Sequence, residues 1–307
     1  MFNRHGSPPV RLSQILASIA PDRHVLIAGP TASGKSALAL ALAREQGGVI
    51  VNGDALQVWS CWRVISARPS SAEEAQAPHR LYGHMAPGQD YSVGRWLAQV
   101  AQILAQGRRL IVVGGTGLYL HALANGLAVI PATPPSLRAE ADDRIAQPGG
   151  LQRMAAELDP ESRARLDLRN PARVQRAWEV LRATGRGIAA WQAETPPPLI
   201  APDRTHRIVL TSDRDWLAER IERRFRLMMD QGALDEVRAV LPTWQPRALW
   251  ARAIGAPDLV AHLQGETALD EAVARAIIST RQYAKSQRIF FRGRMRDWDQ
   301  LRIDLAS

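Results

Sequence analysis

The sequence predicts an α/β fold: a parallel sheet flanked by helices, with an all-helical insertion domain and a helical C-terminal region. Three observations predict it. Short apolar runs alternate with helix-forming stretches through the first third of the 307 residues, the rhythm of a parallel sheet. A glycine-rich turn joins the first run to a helix. At Ile130 the texture changes to a stiff Pro131-Ala132-Thr133-Pro134-Pro135 break and then to charged, helix-periodic sequence.

His24 to Ala28 is short, apolar and partly β-branched, which reads as a buried parallel strand. Ser36 to Arg44 is rich in Ala and Leu and reads as a helix. Gly48 to Asn52 predicts a second strand ending in Gly53-Asp54, and Val93 to Ala105 an amphipathic helix. Arg109 to Val113 predicts a third strand, ending in Gly114-Gly115-Thr116-Gly117. Residues 131–199 read as the helical insertion, closed by Pro196-Pro197-Pro198. Thr205 to Thr211 returns to a strand, and Asp213 opens an arginine-studded helix through Met229. Helical sequence continues to Arg294, with Pro246 and Gly255-Ala256-Pro257 as interruptions. The expected organisation is therefore a core of residues 20–130 and 200–298 around an insertion domain at 131–199.

The turn after the first strand carries the chemistry. Gly29-Pro30-Thr31-Ala32-Ser33-Gly34-Lys35-Ser36 fits the G-x-x-x-x-G-K-[ST] pattern of a phosphate loop. Of 39 basic residues 37 are Arg, and Lys35 and Lys285 are the two lysines. A compact ammonium on a thin stem suits a site threaded under a curl of backbone, where a planar guanidinium would not fit. Backbone N–H groups and the helix dipole would hold a pyrophosphate, and Ser36 is placed to ligate a magnesium ion. The expected class is a P-loop NTPase-like parallel sheet, with ligands at the carboxyl ends of the strands, where the loop, Asp54 and Thr116 fall.

The composition is that of an ordinary soluble chain, 46% hydrophobic. No apolar stretch of membrane-spanning length occurs, and residues 1–14 lack the apolar core of a secretory leader. A cytoplasmic monomer is expected. Its single cysteine, Cys61, excludes an internal disulfide and a cysteine-based zinc cage. The net charge of +9 is the footprint of a polyanion binder, and nine Trp are candidate stacking platforms for bases as well as core residues.

A nucleotide-hydrolysing motor or switch ends a neighbouring strand in an acidic residue that orders magnesium. Here Leu110 to Val113 ends in Gly114-Gly115-Thr116, and the acidic group stands instead at Asp54. A carboxylate there can take a proton from an incoming nucleophile, an arrangement that small-molecule kinases share. On these residues alone, a kinase and a group transfer to another acceptor both remain open.

GPTASGKS, NGDALQVW at 52 to 59, YSVGRW at 91 to 96, VGGTGLYL at 113 to 120, RNPARVQRAWEVLRATG at 169 to 185, RRFRLMMDQGALDEV at 223 to 237, ARAIGAPDL at 251 to 259 and TRQYAKSQRIFFR at 280 to 292 together resemble the tRNA dimethylallyltransferase family. The resemblance covers nearly the whole chain, in family order. It implies transfer of a dimethylallyl group from its diphosphate to the exocyclic nitrogen of the adenosine immediately 3′ of the anticodon, with Mg²⁺ and release of pyrophosphate. It implies Asp54 as the catalytic carboxylate, Thr116 as a contact to the reacting amine and Arg224 as the arginine on the leaving diphosphate. Further tRNA contacts are implied at Asp54, Ala55, Leu56 and Gln57, at Arg138, and at Gln175, Arg176, Ala177, Trp178 and Glu179. The anticodon loop would offer unstacked bases, one of them extruded into a pocket.

The sequence departs from the family pattern at Ala55 and Trp59, along Arg63 to Pro69, at His79-Arg80 and at Ala256, which bears on tRNA contacts at 55–69. The alternative functions are a P-loop small-molecule kinase and a prenyltransferase acting on free adenine nucleotides. The insertion and the basic C-terminal helices favour a macromolecular acceptor. In the C-terminal motif, Arg281, Lys285 and Arg288 share one basic helix face by spacing.

Overall fold

A computed structural model describes residues 12–304. Residues 1–11, which belong to the segment read as having no leader, lie outside the described residues. The chain runs through α1 (Leu12–Ser18), β1 (His24–Ala28), α2 (Lys35–Gln46), β2 (Val49–Asn52), α3 (Ser71–Glu74), β3 (His79–Arg80), α4 (Val93–Leu104), β4 (Leu110–Gly114) and α5 (Gly117–Asn125). Five helices follow: α6 (Pro135–Ala146), α7 (Gly150–Ala156), α8 (Pro160–Arg165), α9 (Pro171–Thr184) and α10 (Ile188–Ala193). The chain then returns through β5 (Thr205–Thr211), α11 (Arg214–Asp230), α12 (Ala233–Val240), α13 (Ala256–Leu263), α14 (Leu269–Arg294) and β6 (Asp299–Arg302).

The strands form one parallel sheet in the order β3-β2-β4-β1-β5-β6. β1, β2 and β4 are buried along their whole length, as their Val, Ile and Leu content requires of strands covered on both faces. Alternate side chains divide between two cores. Val25, Ile27, Ile50, Ile111 and Val113 join Leu38 and Leu42 of α2 on one face, whereas Leu26, Val51, Leu110 and Val112 join Trp96, Tyr119 and Leu120 on the other. Register is set at the centre by Val25 opposite Ile111 and Leu26 opposite Val112. β1 and β5 coincide with the runs read from sequence. β3 and β6 were not legible: His-Arg and Asp-Gln-Leu-Arg have no strand pattern, and pairing with β2 and β5 at the two sheet edges makes them strands.

Helix starts follow local chemistry. The Asp213 carboxylate accepts the amides of Asp215 at 2.7 Å and Trp216 at 3.2 Å, which caps α11. Ser92 caps α4 through the Arg95 amide. Six of the nine Trp, at 59, 62, 96, 178, 250 and 298, are core residues, with Trp62 Nε1 donating to Trp250 O and Trp96 Nε1 to Asn52 O, both at 2.7 Å. Burial pushes the half-buried Cys61 thiol up to about 11, so it is an inert hydrophobe at neutral pH.

The chain divides into two compact units, Asn125–Leu199 and the remainder. The smaller unit has its own core of Ala141, Met154, Leu158, Val174, Ala177, Trp178 and Ile188. Asp159 and Asn170 cap α8 and α9, each with proline as the first helical residue, where the missing N–H costs nothing. Among the described residues no helix is long and apolar enough to cross a membrane.

Candidate active site

The phosphate loop turns out of β1 into α2. Gly34, at φ 83°, occupies the N-cap and offers no side chain to the first-turn amides. The amides at the start of α2 therefore point, with the positive end of the helix dipole, at whatever anion the loop encloses. Ala32 also holds a left-handed conformation, φ 61°, and its carbonyl accepts a hydrogen bond from Arg220 Nε at 3.0 Å. Arg220 is itself laid over the Trp216 ring, 4.6 Å from the centroid. Lys35 Nζ donates to Pro30 O at 3.2 Å, which folds the ammonium back under the loop. Burial pulls Lys35 down to about 8; nearby Asp54 opposes that shift and Arg224 adds to it.

A cleft of about 380 Å³ opens over the loop. Its lining combines residues 31–36, Arg220, Arg223 and Arg224 with the apolar side chains of Leu56, Ile65, Phe225, Met228 and Ile254. Asp54 is the acidic side chain among the lining residues. Burial and the Arg220 charge lower Arg224, while Asp54 works in the opposite direction. The arrangement is a cationic cradle, a carboxylate and an apolar wall facing one space.

Asp54 is held by its own turn. Asn52 Oδ1 accepts the Asp54 amide at 2.8 Å, and Asp54 Oδ1 accepts the Leu56 amide at 3.0 Å. Thr116 Oγ1, at the end of β4, accepts the Ala55 amide at 2.9 Å. Tyr283 of α14 lines the cleft; burial raises its phenol, and the side chains of Thr116 and Gln287 work in the opposite direction. Gln57 lines the cleft, but its amide nitrogen is committed to the carbonyls of Ser66 at 2.9 Å and Ala67 at 3.0 Å.

The wall at 63–67 explains why departures from the family pattern there leave the cleft standing. Glu236 of α12 accepts the consecutive amides of Arg63, Val64 (3.0 Å) and Ile65 (2.8 Å). These are backbone groups, so the side chains at those positions can change without loss of the anchor.

Asp54, Leu56, Gln57, Arg224 and residues 31–36 line one cleft, and Thr116 is joined to it through the Ala55 amide. Gly29 packs beside Ser33 and Leu210, and Pro30 faces a different cavity with Arg288, Arg292 and Arg296. The candidates of the smaller unit gather separately around Glu179. Its carboxylate, 4% exposed, meets Arg138 at 3.4 Å, Arg176 at 3.5 Å and Gln175 at 3.1 Å. Ala177 and Trp178 are buried in that unit's core, where Trp178 Nε1 donates to Glu157 at 2.6 Å. Arg138, Gln175 and Arg176 reach its surface.

Sequence reasoning did not single out Arg220, Tyr283, Gln287 or Glu236, nor Phe225, Met228 and Ile254 of the apolar wall; Leu56 was expected there as a tRNA contact. Arg220 and Arg224 had a signal in their four-residue spacing on one helix face. The basic face expected at 281–288 is also divided: Arg281 pairs with Glu222 at 2.8 Å, Arg288 lines the cavity with Arg292, and Lys285 is exposed.

The profile of the IPP transferase family matches residues 57–294. A tRNA dimethylallyltransferase of Paracoccus denitrificans (strain Pd 1222) is 70% identical over 289 residues, 92% of this chain and 96% of that protein. One of Cereibacter sphaeroides (strain KD131) is 63% identical over 295 residues, 96% of this chain and 94% of that protein. Among solved structures, a tRNA isopentenylpyrophosphate transferase of Bacillus halodurans superposes with a TM-score of 0.65 at 28% identity, covering 92% of this chain and 90% of that one. A eukaryotic dimethylallyltransferase acting on tRNA superposes with 0.77 at 25% identity, covering 92% of this chain and 74% of that one. With a phosphate loop, an adjacent carboxylate and an apolar-walled cleft, and with relatives matching over nearly its full length, the chain belongs to the tRNA dimethylallyltransferase family.

Proposed function

We propose that the protein transfers a dimethylallyl group from dimethylallyl diphosphate to the exocyclic N6 of the adenosine immediately 3′ of the anticodon in tRNA, releasing pyrophosphate. The observation that carries this reading is the mixed lining of the cleft: the phosphate loop at 31–36 and the guanidinium groups of Arg220 and Arg224 share one space with Leu56, Ile65, Phe225, Met228 and Ile254. A diphosphate with a short hydrocarbon tail has that same division of polarity.

The reaction breaks the allylic C–O bond and forms an N–C bond. Negative charge develops on the departing diphosphate, where the loop amides, Lys35 and Arg224 would stabilise it more than they stabilise the bound substrate. The adenine amine is a poor nucleophile because its lone pair is delocalised into the ring. Asp54 would take its proton as the N–C bond forms, with Thr116 positioning the amine. The Ile65 and Phe225 wall would keep water from the allylic carbon.

The donor set fits magnesium carried on the diphosphate. Among the described residues no group of three or more His, Cys, Asp or Glu is placed to hold a metal, whereas Ser36 offers a hydroxyl at the start of α2, within the phosphate loop. Magnesium prefers one or two protein oxygens with phosphate oxygens and waters. Bound there, it would neutralise charge on the leaving group. In the smaller unit, Arg138, Gln175 and Arg176 would contact tRNA, with Ala177, Trp178 and Glu179 supporting them from within. Action as a monomer in the cytoplasm belongs to the same proposal.

The test is transfer of label from dimethylallyl diphosphate, with magnesium, to unmodified tRNA bearing an adenosine 3′ of its anticodon, with AMP and ATP in parallel. Label in tRNA is the expected result. Label in AMP alone would assign the enzyme to free nucleotides, and ATP turnover without prenyl product would make it a kinase.

A further inference from the structure

Gln287 belongs to α14, one turn beyond Tyr283, and is 5% exposed. Its side-chain amide joins two segments that serve opposite partners of the reaction. Oε1 accepts the backbone N–H of Thr31, in the phosphate loop, at 2.9 Å. Nε2 donates to the carbonyl of Gly115, at the end of β4, also at 2.9 Å. The two groups fix the orientation of the amide, since only its oxygen can face an N–H and only its nitrogen a carbonyl.

The position of this bridge gives it meaning. β1 and β4 are hydrogen-bonded neighbours, and their last paired residues are Ala28 and Gly114. Beyond them the chains diverge, one into the phosphate loop and the other toward Thr116. A primary amide carries the same donor and acceptor as a peptide group, so Gln287 supplies one more rung where the ladder has ended. Gly115 is shaped for it: a Cβ there would lie 2.2 Å from Gln287 Nε2 and 3.1 Å from Asp54 Oδ2. Gly115 is followed directly by Thr116, whose Oγ1 accepts the Ala55 amide beside Asp54 at 2.9 Å, so the acceptor end of the bridge leads to the carboxylate.

We infer that Gln287 is a positioning residue, which sets the separation between the diphosphate cradle and the acceptor side of the cleft by locking Thr31 to Gly115. The inference rests on the prenyl-transfer reading above. Reaction between two bound substrates depends steeply on their separation, and a displacement of about 1 Å can cost about 10²-fold in rate. A loop released from the strand end would still bind pyrophosphate, since the α2 amides and Lys35 do not depend on Gln287.

The experiment compares wild type with Gln287→Met, which removes both hydrogen bonds at similar volume, and with Gln287→Glu, which keeps the acceptor for Thr31 and loses the donor to Gly115. Three quantities are read: hydrogen exchange of the Thr31 amide in ligand-free protein, steady-state transfer to tRNA, and pyrophosphate affinity. Gln287→Met should speed Thr31 exchange at least about 10-fold and lower kcat about 10- to 100-fold, with KM for tRNA and pyrophosphate affinity within about 3-fold of wild type. Gln287→Glu should keep Thr31 protected yet lose kcat, which also covers the case in which the Met variant does not fold. Unchanged Thr31 exchange in Gln287→Met, or a wild-type kcat in either folded variant, overturns the inference. Equal losses in kcat, tRNA binding and pyrophosphate binding would make Gln287 a general core residue and overturn it too. If wild type itself transfers no prenyl group, the functional reading fails separately, and the exchange measurement still decides whether the lock exists.

Discussion

Thr116 Oγ1 accepts the backbone amide of Ala55 at 2.9 Å, so a residue two positions beyond β4 holds the chain directly beside the Asp54 carboxylate. The bond uses a backbone donor, so it does not depend on which side chain stands at 55. Thr116→Val should leave the Ala55 amide without its acceptor, destabilise the protein by about 1–2 kcal/mol and lower kcat about 10- to 100-fold. Thr116→Ser should stay close to wild type in both. Denaturant titration and single-turnover transfer, run on the same preparations, check the pair.

Asp54→Asn retains an oxygen for the Leu56 amide but no longer accepts a proton. The rate at saturating substrates should fall by about 10² to 10⁴, while tRNA affinity stays within about 2-fold. Filter binding of tRNA beside single-turnover transfer separates the two. A large loss of tRNA binding would assign Asp54 a structural role.

Lys35 carries a pH prediction. Burial brings its ammonium from an ordinary 10.5 down to about 8 in the free site. A bound diphosphate favours the charged form, so binding near and above pH 8 takes up a proton. Pyrophosphate affinity should therefore be insensitive to Lys35 titration well below pH 8 and fall as pH rises through it. Calorimetry from pH 6.5 to 9.5 measures this, and subtracting the profile of Lys35→Met removes the titration of pyrophosphate itself. Parallel profiles for the two proteins would count against the assignment.

Glu236→Ala removes the acceptor of three consecutive amides, those of Arg63, Val64 and Ile65. Unpaired, partly buried amides should cost about 2–3 kcal/mol in stability. Ile65, Ser66 and Ala67 line the cleft, so KM for dimethylallyl diphosphate should rise with little change in the tRNA term. Thermal melting and substrate titration check both parts, and Glu236→Gln, which keeps one acceptor oxygen, should fall between.

What the sequence by itself determined is what local chemistry can specify. β1 and β5 are legible because apolar, β-branched runs have few other fates. The phosphate loop is legible because its glycines, lysine and helix are contiguous and act through their own backbone. Asp54 and Thr116 are legible because they close strands whose ends must lie at the ligand side of a parallel sheet. β3 and β6 are strands because a neighbour offers them a ladder, a fact no stretch of four residues contains.

Tertiary structure decided the rest, because the contacts concerned join residues far apart in the chain. Gln287 meets Thr31 and Gly115 across 256 and 172 positions, Glu236 meets Ile65 across 171, and Arg220 meets Ala32 across 188. Each is a side chain satisfying a backbone group of another segment, and a backbone group has no one-letter signature. The apolar wall is of the same kind: Phe225, Met228 and Ile254 are unremarkable hydrophobes until folding brings them to the same cleft as a phosphate loop. That juxtaposition separates a cleft fit for an allylic diphosphate from a bare phosphate site.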